Sequence, residues 1–141
     1  MSATEQLGNH WNVIPIAGGV AISLKGVVGV TFVTTGNDTF TLTTSAAFSS
    51  GFASPGTIVA NVYKSSSTGG TAAWVQDQTL ISTNTVVSGG AIATAFYISD
   101  VFLPDLKTYV KLTPSGAGLV TAILGDLTVK RTPPNLAIIS A

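Results

Sequence analysis

Apolar and polar residues alternate with period two along several short stretches of this chain, and a 3.6-residue repeat nowhere persists for the length of a helix. Residues 106–131, LKTYVKLTPSGAGLVTAILGDLTVKR, carry the clearest pattern. Leu106, Thr108, Val110 and Leu112 fall on one face, and Lys107, Tyr109, Lys111 and Thr113 on the other, which predicts a strand with one buried face. Pro114, Ser115, Gly116, Ala117 and Gly118 interrupt it, since proline cannot donate to a ladder and glycine accepts φ > 0. Residues 119–124 are then apolar on both faces apart from Thr121, the pattern of a strand covered on both sides. The whole stretch predicts a β-hairpin at the centre of the fold, with earlier strands laid against it.

Taken in order, residues 1–19 read as an N-terminal arm: polar at first, then Trp11, Val13, Ile14, Pro15 and Ile16, closing on Gly18-Gly19. Strands are expected over 20–24 and 27–34, a turn at Gly36-Asn37-Asp38, and a strand over 39–44 with Phe40 and Leu42 opposite threonines. Residues 45–56 lack periodicity and form a loop with two apolar anchors, Phe48 and Phe52, either a lid on the core or a contact surface. A second hairpin joins 57–63, where Ile58, Ala60 and Val62 oppose Val59, Asn61 and Tyr63, to 72–81. Gly89-Gly90, between strands at 85–88 and 91–99, suits a two-residue hairpin turn. After Pro133-Pro134 the chain ends in LAIISA, a short hydrophobic tail with Leu136, Ile138 and Ile139. Turn signals at roughly 8-to-12-residue spacing predict an all-β fold, a single antiparallel β-sandwich or jelly-roll-like barrel over 20–131, with arms at 1–19 and 132–141.

Composition narrows the partners. The chain has 141 residues, one domain's worth, with six basic and six acidic side chains making 9%, against about 25% in an ordinary soluble domain. Zero net charge provides no field to recruit nucleic acid or an anionic membrane. Near-zero charge also promotes association, so such a surface suits a protein packed against neighbours better than a free one. Residues 1–6 and 13–33 match neither a signal peptide nor a spanning helix, and the chain is expected to fold where it is made.

Candidate chemistry is sparse. Without cysteine there is no disulfide, thiolate metal site or Cys nucleophile. The single histidine, His10, lies in the arm, a poor foundation for a Ser-His-Asp arrangement. Asp100 and Asp105 lack the further oxygens a Ca²⁺ site needs, and Asp38, Asp77, Asp100, Asp105 and Asp126 lack the aromatic surroundings that raise a catalytic carboxyl. Gly116 and Gly118 open a strand, not a helix N-terminus that would hold phosphate. Asn37-Asp38-Thr39 fits a glycosylation acceptor but reads first as a turn. The expectation is no enzyme activity, no cofactor and no metal. One constellation fits a ligand: Trp74, Gln76 and Gln78 share a strand face, as in sites that stack a sugar ring and bond its hydroxyls. The competing reading, which the pattern favours, makes Trp74 a core residue. Trp11 either folds back on its own domain or anchors an arm in a neighbour.

Low charge, absence of cysteine and the run Tyr109-Val110-Lys111-Leu112, a glycine-bearing turn, then Val120-Thr121-Ala122-Ile123-Leu124-Gly125-Asp126-Leu127 together resemble the head decoration, minor capsid or cement proteins of tailed bacteriophages. The resemblance covers about residues 57–131. It implies a non-enzymatic protein, assembled in the host cytoplasm, that binds the major capsid protein on the outside of the virion, often as a trimer, and stabilises the shell. Trp11, Val13, Ile14 and Ile16 in one arm and Leu136, Ile138 and Ile139 in the other are then the expected subunit contacts. A carbohydrate-binding sandwich using Trp74, Gln76 and Gln78 is the alternative from another class, and a phage tail component shares the virion class.

Overall fold

The computed structural model describes residues 11–15, 18–55, 60–66, 72–80, 84–88, 93–99 and 108–125, with backbone alone at 77–80. Among the described residues ten strands follow one another: β1 (Trp11–Ile14), β2 (Ile22–Ser23), β3 (Gly29–Thr35), β4 (Thr39–Ser45), β5 (Ala60–Ser65), β6 (Val75–Leu80), β7 (Thr85–Val87), β8 (Ala93–Ser99), β9 (Tyr109–Pro114) and β10 (Leu119–Gly125). They form a six-stranded sheet in the order β1-β10-β3-β8-β5-β6 and a four-stranded sheet in the order β2-β9-β4-β7. All pairs between these strands are antiparallel. Neither sheet closes, and one cluster of buried side chains drawn from both makes the molecule a β-sandwich.

The period-two pattern predicts the inner faces of β4 and β9, and the structure adds those of β3 and β10. Val30 and Phe32 of β3, Phe40 and Leu42 of β4, Val110 and Leu112 of β9, and Val120, Ala122 and Leu124 of β10 are all buried, while the alternate residues face outward. Cross-strand register lines up one inner row, Ile14–Ala122–Phe32–Phe96–Val62, across five strands. Small Ala122 beside two phenylalanines is the alternation of sizes that lets two sheets interdigitate. The Phe32 and Phe96 rings lie 5.5 Å apart and tilted, within the range of favourable aromatic pairs. Farther along, Thr34 and Thr94 are buried polar residues, and their hydroxyls bond each other across β3 and β8; burying them unbonded would be costly.

Sheet membership differs from the sequence reading. Residues 106–131 are not a hairpin: β9 lies in the four-stranded sheet and β10 in the six-stranded one. The loop at 115–118 spans the layers, about 10 Å apart in a sandwich, so the apolar faces of its two strands meet across the core. Nor does β10 have two covered faces, since Leu119 is exposed and Thr121 and Ile123 are half-buried. Likewise β7 and β8 occupy different sheets, which excludes a two-residue hairpin at Gly89-Gly90. The pairing of β5 with β6 agrees with the expected second hairpin.

The N-terminal arm is also revised. Trp11–Ile14 pairs with β10 as an edge strand of the chain's own sheet, and Ile14 packs on the core. The sandwich therefore begins by Trp11, ahead of the expected boundary at 20. The physical reason lies in the inner row: Ala122 is too small to fill its width, and Ile14 closes it from the edge.

One residue, through its carboxylate and its main-chain carbonyl, ties the crossings together. The Asp38 carboxylate accepts from the Ser115 hydroxyl at 3.1 Å and from the Gly118 amide at 2.5 Å, and its carbonyl accepts from the Ser88 amide at 3.0 Å. Ser88 in turn donates its hydroxyl to the Gly36 carbonyl at 2.9 Å. The β3–β4 turn, the end of β7 and the β9–β10 loop thus converge on Asp38. The glycines follow from this: a Cβ at Gly118 would collide with the carboxylate and the Phe40 ring, and Gly36 sits at φ +103 against Gly118. Asp38→Ala is expected to cost about 1–3 kcal/mol, because it leaves the partly buried Gly118 amide without its acceptor. Denaturant unfolding measures it, and an unchanged midpoint would contradict the role.

Candidate functional site

Three surfaces carry side chains that the core does not use. The first is the edge of the six-stranded sheet at β1, where Asn12 and Ile14 point inward and Trp11 and Val13 face out. Trp11 is 41% exposed. Of the other expected contact residues, Ile16, Leu136, Ile138 and Ile139 lie outside the described residues, as does His10.

The second is the loop after β4. Residue 53 returns to pair with Thr44 through two backbone hydrogen bonds of 2.9 and 3.1 Å, which pins the excursion against the four-stranded sheet. Phe48 meets the Tyr109 ring edge-on at 6.0 Å, and the Lys111 ammonium lies 4.1 Å from the centre of the Phe52 ring, within cation–π range. The two anchors therefore form a lid, and it covers the outer face of the sheet rather than the core. This is why Tyr109, on the outward side of β9, is only 2% exposed.

The third is a groove of about 420 Å³ on the outer face of the six-stranded sheet, lined by Thr31, Ala60, Asn61, Tyr63, Ala95, Phe96 and Tyr97. It falls within the size range of small-molecule sites, about 300–1,000 Å³. Its shape comes from register: Tyr63 of β5 is opposite Ala95 of β8, and Tyr97 of β8 is opposite Thr31 of β3. The methyl group of Ala95 leaves a low floor between two tyrosines. At the β5 end, Gln76 of β6 donates to the Asn61 side-chain oxygen at 3.2 Å.

The backbone register of β6 departs from the period-two alternation expected of Trp74, Gln76 and Gln78. Trp74 is 48% exposed and so is not a core residue. The β5–β6 pairing shifts register between Val62 and Tyr63, so that Gln76 is opposite Tyr63 while Gln78 is opposite the buried Val62. Asp77 is the extra residue, and a bulge of this kind breaks the period-two rule on which the shared face depended. Gln76 meets the groove through its bond to Asn61. Sequence reasoning put Asn61 and Tyr63 on one side of their strand but had no signal that β8 would bring Tyr97 beside them.

Among the described residues no three His, Cys, Asp or Glu side chains come together to hold a metal, and no helix is long and apolar enough to cross a membrane. Comparison with protein-family models, curated proteins and solved structures yields no match.

Proposed function

We propose that the protein is a structural virion component that binds the outside of an assembled bacteriophage capsid and stabilises it, with the major capsid protein as its partner. The observation that supports this reading most directly is the edge strand β1, which ends the six-stranded sheet with Trp11 exposed on its outer side. Edge strands are templates for strand addition, and an exposed tryptophan is the kind of anchor that dominates interface energies. The resemblance to phage cement proteins and a surface nearly without charge point the same way. In this reading the copies associate as trimers on the shell, and Leu136, Ile138 and Ile139 supply further contacts.

Co-sedimentation with purified capsids is the test. Trp11→Ala is expected to weaken attachment tenfold or more, about 1.4 kcal/mol, while leaving the fold intact because the side chain faces outward. Particles that gain no heat resistance on adding the protein, or a variant that binds as the parent does, would refute the reading.

Carbohydrate binding is the second reading. The observation that favours it is the Tyr63–Tyr97 groove, with its paired amides Asn61 and Gln76.

A further inference from the structure

We propose that the groove on the outer face of the six-stranded sheet is a binding site for neutral glycans, with a pyranose ring packed on the tyrosines over Ala95 and its hydroxyls bonded by Asn61 and Thr31. This deepens the carbohydrate reading and rests on it, and it is independent of the capsid reading.

The lining chemistry selects the ligand. None of the seven described lining residues is charged, so this lining provides no counter-ion for phosphate, sulfate or a uronic acid, and desolvating such a group against it would go uncompensated. A neutral sugar offers what the groove can use: a C–H face for an aromatic ring and hydroxyls for an amide and a hydroxyl. Both rings are presented for that purpose, with Tyr63 39% and Tyr97 44% exposed.

Backbone geometry holds the platform. Gly29 lies under Tyr97, where a Cβ would collide with the tyrosine hydroxyl and ring and with the Ile98 carbonyl. Glycine at this position therefore lets the Tyr97 ring lie over β3. Tyr63 and Tyr97 stand in the diagonal relation across β5 and β8, a separation within reach of aromatic side chains. At the rim, Gln76 engages the Asn61 oxygen at 3.2 Å, which orients that amide before any ligand arrives and reduces the ordering cost of binding.

The experiment titrates the full chain with cellohexaose, maltohexaose and chitohexaose as neutral probes and with heparin and polygalacturonate as acidic ones, by calorimetry. At least one neutral oligosaccharide is expected to bind and both polyanions to fail. Tyr63→Ala and Tyr97→Ala should each lower affinity tenfold or more, and Ala95→Leu, which fills the floor, should abolish binding. Trp74→Ala should leave it unchanged. Circular dichroism checks that the variants keep their strands; positions 63, 95 and 97 face outward and Trp74 is exposed. Binding only of polyanions, or neutral binding lost in Trp74→Ala and kept in the tyrosine variants, overturns the groove assignment and leaves the carbohydrate reading standing. No binding to any probe overturns both.

Discussion

Phe32→Ala is expected to lower folding stability by about 3–5 kcal/mol, a large part of the roughly 5–15 kcal/mol that holds a domain together. Phe32 is fully buried at the middle of the six-stranded sheet, between Ala122 on one side and Phe96 on the other. The small Ala122 cannot fill the space an alanine would leave, and the strands on both sides hold the backbone in place, so the cavity would persist. Loss of the ring pair with Phe96 adds to the cost. Urea denaturation would show the midpoint falling by on the order of 2 M, given slopes of about 1–3 kcal/mol/M. Tyr97→Ala, one position away from Phe96 but on the outer face, should move it little. Equal shifts for the two variants would mean that the inner and outer faces of the sheet are wrongly assigned.

Removing residues 1–14 should destabilise the sandwich by roughly 3–5 kcal/mol, from ladder hydrogen bonds worth about 0.5–1.5 each and the partial burial of Ile14 and Val13. β1 supplies four register pairs to β10 and the last side chain of the inner row. Without it β10 becomes the sheet edge and exposes a strand of high β-propensity to other chains, so aggregation should accompany the loss. The melting temperature should drop by roughly 10 °C or more. Trp11→Ala provides the contrast, since it removes the outward anchor and keeps the strand. A truncated protein that melts with the full-length chain would return residues 11–14 to the status of a free arm.

The groove and the edge differ in how far they could be read in advance. Trp11 stands out in any sequence as a large aromatic beside aliphatics, and its candidacy needed no fold. Tyr63 could be placed on the outward side of its strand from the alternation of 60–63. Its partnership with Tyr97 could not, because the two are 34 positions apart and nothing in either strand names the other as neighbour. Gln76 and Gln78 depart from the alternation for a local reason: one inserted residue, Asp77, displaces the pattern on the two sides of the bulge.

Composition and periodicity by themselves determined that the chain is all β, where most strands run, which residues of β4 and β9 turn inward, and that 36–38 and 115–118 are breaks. These properties follow from steric preference and from the two-residue repeat of a pleated backbone, which act within a few residues. Only the tertiary structure decided which strands share a sheet, that Trp11–Ile14 is built into the sandwich, and that Asp38 gathers three crossings through a bond to Gly118, 80 residues away. The reason is that both sheets of a sandwich demand the same alternation. An apolar face states that a strand must be covered but not by which partner, and the choice rests on complementary sizes such as Ala122 beside Phe32 and on one carboxylate that fits where two glycines make room.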